Sequence, residues 1–200
     1  MVDDSQTTGD DKKPKESSWF WDLIKAAVVA LIIVFFVYQF LFQQFVVSGH
    51  SMDHTLANGE RLIIDKVPYY FGPPKRGDII VFHAPSGQDW VKRVIGLPGD
   101  TVAVANGRLV LDGKVIDEPY INGLMDSNFP TTVVPKGDLF VMGDNRNISE
   151  DSRIIGPIPI SSVIGRVDLV IWPFNNFQVI ASNQEHFLPQ GTPQSIRQSK

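Results

Sequence analysis

The sequence predicts a mainly β protein, in which a single N-terminal transmembrane helix precedes an antiparallel β-sheet domain. Three observations carry that reading. An uncharged apolar run, AAVVALIIVFFVYQFLFQQFVV, fills Ala26–Val47 and can cross a hydrocarbon core at about 1.5 Å per helical residue. Beyond it, apolar stretches are short, rich in Val and Ile, and separated by turn residues. No stretch after Val47 keeps an i, i+3, i+4 apolar stripe, the mark of a helix packed on a core.

Residues 1–18 are charged and polar and read as a cytoplasmic tail. Residues 19–47 read as the anchor, with Trp19, Phe20 and Trp21 placed to meet lipid headgroups. Lys12, Lys13, Lys15 and Lys25 flank its N-terminal side, whereas the first Lys or Arg on the other side is Arg61. The positive-inside rule then puts the N-terminus in the cytoplasm and the domain that follows outside, as a single-pass protein of the cell membrane. A cleavable signal peptide is the competing reading. Its apolar region runs only about 7 to 15 residues and ends in small side chains; this run is longer and ends in Phe-Gln-Gln-Phe-Val-Val.

Residues 48–182 read as the extracytoplasmic β domain. Arg61–Asp65 and Asp78–His83 are its first two strand signals. Thr101–Ala105, Arg108–Leu111 and Lys114–Asp117 follow as a meander, joined by Asn106-Gly107 and Asp112-Gly113. Those dipeptides supply the positive φ angles of two-residue hairpin turns. Asp138–Met142 and Val163–Trp172 complete the series, residues 116–132 read as a loop-rich insertion, and residues 183–200 as a polar tail.

Composition excludes several chemistries. There is no cysteine, so disulfides and thiolate sites are absent. His50, His54, His83 and His186 show no paired ligand spacing, so neither a metal nor another cofactor is expected. A net charge of −4 without a basic stripe argues against a nucleic-acid partner. Nothing in the sequence sets an oligomeric state.

The candidate chemistry begins at Ser-Gly-His-Ser-Met-Asp-His-Thr-Leu, residues 48–56, just past the apolar run. A serine hydroxyl needs a neighbouring base to act as a nucleophile. Three arrangements are open. A G-x-S-x-G elbow fails on its last position, where Asp53 stands. A triad can draw on His83 with Asp89 or Asp78. A Ser–Lys dyad can draw on Lys92, within Trp90-Val91-Lys92-Arg93-Val94-Ile95. Strand alternation puts Trp90, Lys92 and Val94 on one face, and a lysine desolvated there loses its proton more readily.

Four blocks in order are similar to the bacterial type I signal peptidases, membrane-bound Ser–Lys proteases. They are Ser51-Met52-Asp53-His54-Thr55-Leu56, Arg76–Phe82, Lys92–Asp100, and Gly143-Asp144-Asn145-Arg146 with Ser149 and Asp151-Ser152-Arg153. The resemblance implies a serine endopeptidase that cuts signal peptides from exported preproteins, with Ser51 as nucleophile, Lys92 as general base and the Ser51 N–H as oxyanion donor. It implies that Ser149 orients the lysine amine, that Asp151 and Arg153 form an ion pair, and that Gly143 and Asp144 shape a turn braced by Arg146. Arg93 is expected to point away from Lys92 and support the fold. Gly49 stands where some relatives add a second oxyanion hydroxyl. His54 stands where the family usually has proline, which loosens the turn. A non-catalytic, membrane-tethered β domain that binds exported proteins is the alternative, and His54 is the feature in its favour.

The implied substrate is an extended peptide with small side chains at the first and third positions before the cut, added as a strand to a sheet edge. Val47, Met52 and Val81 are candidate pocket residues. Tyr69, Tyr70 and Phe71, among Pro68, Pro73 and Pro74, form a candidate patch for contact with the lipid bilayer.

Overall fold

A computed structural model describes residues 18–180 and Phe187, except the side chains of residues 18, 39 and 40. The chain divides into two units, 1–40 and 41–200. The first contains nearly all of α1 (Ser18–Leu41), whose Trp19–Tyr38 span is long and apolar enough to cross a membrane.

The helix does not reach Val47 as the apolar run suggests. Residues Phe42–Val46 form strand β1 instead, pairing antiparallel with β2 (Arg61–Asp65), Phe42 opposite Asp65 and Val46 opposite Arg61. Gln43 and Gln44 interrupt the apolar run there, Phe45 packs against a core cluster, and β2 supplies hydrogen-bond partners for the backbone. Ser51 is therefore separated from the helix by a strand of the sheet, not by a free linker.

The remaining strands are β3 (Ile79–His83), β4 (Asp89–Gly96), β5 (Thr101–Ala105), β6 (Arg108–Leu111), β7 (Lys114–Val115), β8 (Phe129–Val133), β9 (Asp138–Met142), β10 (Ile158–Pro159), β11 (Val163–Trp172) and β12 (Gln178–Val179). They make an eight-stranded sheet in the order β1-β2-β11-β3-β4-β9-β10, with β12 on β11, and a four-stranded sheet in the order β7-β6-β5-β8. Every pairing is antiparallel. The only other α-helices among the described residues are single turns, α2 (Pro68–Phe71) and α3 (Ser152–Ile155).

The hairpins form where the sequence places them: Asn106-Gly107 and Asp112-Gly113 all have positive φ. Strand β8 falls inside the segment read as a loop-rich insertion. Its Pro130 removes a ladder donor, and the strand accordingly lies at a sheet edge. Strand β3 is buried on both faces. Ile79 and Val81 join one core cluster with Met52, Leu56 and Val91, while Ile80 and Phe82 join another with Val94 and Val141. A third cluster, including Ile95, Val102, Leu109 and Phe140, joins the two sheets.

Candidate active site

The turn carrying Ser51 is held by its own apolar neighbours. Met52 and Leu56 are buried in the first core cluster, and the Leu56 and Thr55 N–H groups close onto the Met52 carbonyl at 2.8 and 3.1 Å. Gly49 enters the turn at φ +101°, and its N–H donates to Asn58 Oδ1 at 3.0 Å. His54 lies at φ +82°. Proline, locked near −65°, cannot adopt that angle, so this turn differs from a proline turn instead of being a loosened copy of one.

Lys92 projects from β4, opposite Ile80 of β3, and is 5% exposed. Its Nζ lies 2.6 Å from Ser51 Oγ and 5.3 Å from the centre of the Trp90 ring. Burial pulls the amine down to about 8, against the opposing pull of Asp151, Glu150 and Asp144. An amine so placed is neutral in an appreciable fraction of molecules near neutral pH and can accept a proton from the hydroxyl it touches. His83 is exposed and bonded to Asp89, Nδ1 to Oδ1 at 2.6 Å. Asp78 instead accepts from the Lys75 N–H and the Tyr69 hydroxyl. Among the described residues, no side chain other than Lys92 hydrogen-bonds to Ser51 Oγ.

Ser51 and Lys92 open onto a cleft of about 420 Å³. Phe45, Val47, Met52, Trp90, Val91 and Ile148 give it apolar walls, and Asp89 and Glu150 are its acidic lining residues. Val81 is fully buried in the core and does not line it.

Residues 20–172 match the family described as signal peptidase, peptidase S26. The chain belongs to the signal peptidase family. It is 42% identical over 180 residues to signal peptidase I of Bacillus caldolyticus, covering 83% of this chain and 96% of that one. It is 37% identical over 187 residues to signal peptidase IB of Staphylococcus aureus strain COL, covering 84% and 95%. A crystal structure of a signal peptidase I from Enterococcus faecalis V583 is 36% identical, with a TM-score of 0.42, covering 48% of this chain and 97% of that one.

The last signal-peptidase block builds the floor beneath the Ser51 turn. Arg93, fully buried, forks onto Asp144 with Nε–Oδ1 at 2.8 Å and Nη2–Oδ2 at 2.6 Å, and donates to the Gly77 carbonyl at 3.1 Å. Asp144 also accepts from Thr55 Oγ1 at 2.5 Å, which ties the Ser51 turn to this pair. An added Cβ at Gly143 would collide with the Ser149 hydroxyl and the Ser51 carbonyl, so only glycine lets the two segments approach. Arg146 forks onto Glu118 at 2.7 and 2.5 Å and reaches the Gly143 carbonyl at 3.0 Å. The Tyr120 ring lies against Arg93 and Arg146, 4.1 and 5.8 Å from their guanidinium carbons. Asp151 and Arg153 pair at 2.8 Å away from solvent, and Asp151 also accepts from the Gly143 N–H at 3.1 Å.

Ser149 is placed differently from the role the resemblance implies. Its hydroxyl faces Gly143 and the Glu150 carbonyl, the latter at 3.5 Å, and makes no hydrogen bond to Lys92 among the described residues. Glu118, Tyr120, Thr55 and Asn145 are site residues that sequence reasoning missed. Thr55 and Asn145 stand inside matched blocks, whereas Glu118 and Tyr120 sit in a stretch with no periodic signal.

Proposed function

We propose that the chain is a membrane-anchored serine endopeptidase that cuts signal peptides from exported preproteins, with Ser51 as nucleophile and Lys92 as general base. The observation that carries the assignment is the 2.6 Å approach of a buried amine to the Ser51 hydroxyl, in a cleft open to a peptide. Neutral Lys92 takes the Ser51 proton as Oγ attacks the scissile carbonyl. The ammonium then gives that proton to the departing amine, leaving an acyl-enzyme. Lys92 next deprotonates a water that releases the acid and restores the hydroxyl. The Ser51 N–H, which donates to no protein acceptor among the described residues, is available to the oxyanion.

Two sheet edges support an extended substrate. Strand β4 pairs with β9 only from Arg93 onward, so residues 89–92 have a strand neighbour, β3, on one side alone. Strand β1 is the last in its sheet and contributes Phe45 to the cleft. A peptide laid between them alternates its side chains, and Val47, Met52 and Val91 offer the inward ones an apolar wall close to Ser51.

The lysines before the helix support a cytoplasmic N-terminus and an active site on the outer face. The Lys66 N–H donates to the Leu41 carbonyl at 3.0 Å, which ties the residues just before α2 to the segment that leads into β1. Phe71 and Tyr70 stand 88% and 71% exposed on α2, and this edge is proposed to meet the bilayer.

Cleavage of a preprotein by the full chain in lipid vesicles tests the assignment. Ser51→Ala and Lys92→Ala are each expected to lose at least about 10³-fold in turnover, while His83→Ala keeps most of it. Turnover that survives Lys92→Ala and is lost with His83→Ala would reject the dyad.

A further inference from the structure

The peptide group that joins His50 to Ser51 is gripped from outside the turn. Asn145 Nδ2 donates to the His50 carbonyl at 3.1 Å, and the Asn145 backbone N–H donates to the Ser51 carbonyl at 3.0 Å. One residue thus holds the carbonyls on both sides of the serine. A carbonyl oxygen can only accept, so the Asn145 side chain must turn its amide nitrogen toward His50. Asn145 is itself pinned, because Asp144 before it is locked by Arg93 and Thr55, and Arg146 after it is locked by Glu118. The turn grips the same carbonyl from within, through the Asp53 N–H at 3.2 Å, and the exposed His50 ring bonds Asp53 Oδ2 through Nδ1 at 3.0 Å. Asn145 is the contact that reaches that carbonyl from a segment distant in sequence.

The His50 carbonyl and the Ser51 N–H belong to one planar, trans group, so the direction of one fixes the direction of the other. We propose that Asn145 is a positioning residue, which aims the Ser51 N–H at the oxygen that gains charge in the transition state by holding the His50 carbonyl on the opposite side. This inference rests on Ser51 being the nucleophile. It assigns Asn145 no contact with substrate. Because the N–H bond to the oxyanion strengthens only as charge develops, losing its alignment lowers kcat and leaves KM in place.

The test uses the full chain in lipid vesicles, with a preprotein substrate, a peptide aldehyde and the cleaved signal peptide as probes. The aldehyde adds reversibly to Ser51 Oγ, the serine proton ending on the new hemiacetal oxygen, which stands where the oxyanion forms. Asn145→Ala is expected to lower kcat by about 10- to 10²-fold, less than the roughly 10²- to 10³-fold loss of a whole donor. KM should stay within about twofold, the acid limb of the pH–rate curve should not move, and aldehyde inhibition should weaken while product inhibition stays constant. Asn145→Gln, which keeps an amide donor, should recover part of the rate. If the alanine variant does not fold, Asn145→Ser carries the same test, since its hydroxyl is too short to reach His50. An unchanged kcat, a shifted acid limb, or equal weakening by aldehyde and product peptide would overturn the role. Wild-type protein that fails to cleave, or Ser51→Ala that still does, would instead remove the reading beneath it.

Discussion

At pH 7 an amine with a pKa of about 8 is neutral in roughly one molecule in ten, and half are neutral one pH unit higher. The kcat/KM of cleavage should therefore rise tenfold per pH unit below about 8 and level off above it. A flat profile from pH 6 to 9 would contradict Lys92 as base. The same shift has a structural cost with a definite sign. Unfolded Lys92 keeps its proton up to about pH 10.4, whereas the folded form loses it near 8, so folding gains stability as pH rises between those values and bears the full penalty below them. Lys92→Met should abolish cleavage yet stabilise the fold at pH 7, on the order of 2 kcal/mol, read by thermal melting in detergent. A lower melting temperature than wild type would mean the amine is not strained there. The Ser51–Lys92 contact was legible because a serine beside an apolar run, and a lysine inside one, each break the local pattern. The Ser149 hydroxyl and the Asn145 amide were not legible in their places. A short polar side chain in a loop can bond in several directions, and only the fold chooses among them.

At the scale of elements, the loop around residues 116–128 and the block 143–153 are joined through buried charge. Glu118 and Arg146 are each 2% exposed at the side chain, and the Tyr120 hydroxyl adds a bond to Glu118 Oε1 at 2.7 Å. Burial, reinforced by the Glu118 charge, pushes the Tyr120 phenol far up, so it stays a neutral donor. Glu118→Leu leaves a guanidinium buried without its partner and should cost about 3 to 5 kcal/mol. Adding Arg146→Met removes the orphaned charge and should restore most of that loss, so chemical denaturation of the two single variants and the double should be strongly non-additive. Simple additivity would show that the pair is not a unit. This join was invisible in the sequence because buried polar residues in a loop have no period, whereas the Asn-Gly and Asp-Gly hairpins announce themselves by backbone chemistry. Strand β1 was hidden for a different reason. Its residues continue the apolar run of the helix, and only the partner strand Arg61–Asp65, distant in sequence, draws them into a sheet.

For the whole molecule, the proposed function depends on where the cleft would lie relative to the bilayer. Two exposed aromatic groups are candidates for the edge proposed to meet lipid. Tyr70 and Phe71 follow the Lys66–Leu41 bond, where the chain enters β1, while Trp172, Phe174 and Phe177 lie by the opposite end of β2, where Trp172 pairs with Arg61. Four residue steps of strand, about 13 Å, separate Asp65 from Arg61 along β2. The first group is therefore the one proposed to sit in the headgroup region. Because the chain has no cysteine, one engineered thiol labels one site. Full-length Phe71→Cys, Phe174→Cys and Val133→Cys, each carrying an environment-sensitive fluorophore, can be placed in vesicles whose lipids bear a quencher. Val133, on the smaller sheet and 61% exposed, serves as the solvent reference. Residue 71 should be quenched several-fold more than residue 133, with residue 174 between them. Quenching strongest at 174 would place the other edge of β2 against the lipid, and the scissile bond would then lie farther from the membrane surface than Phe71 implies.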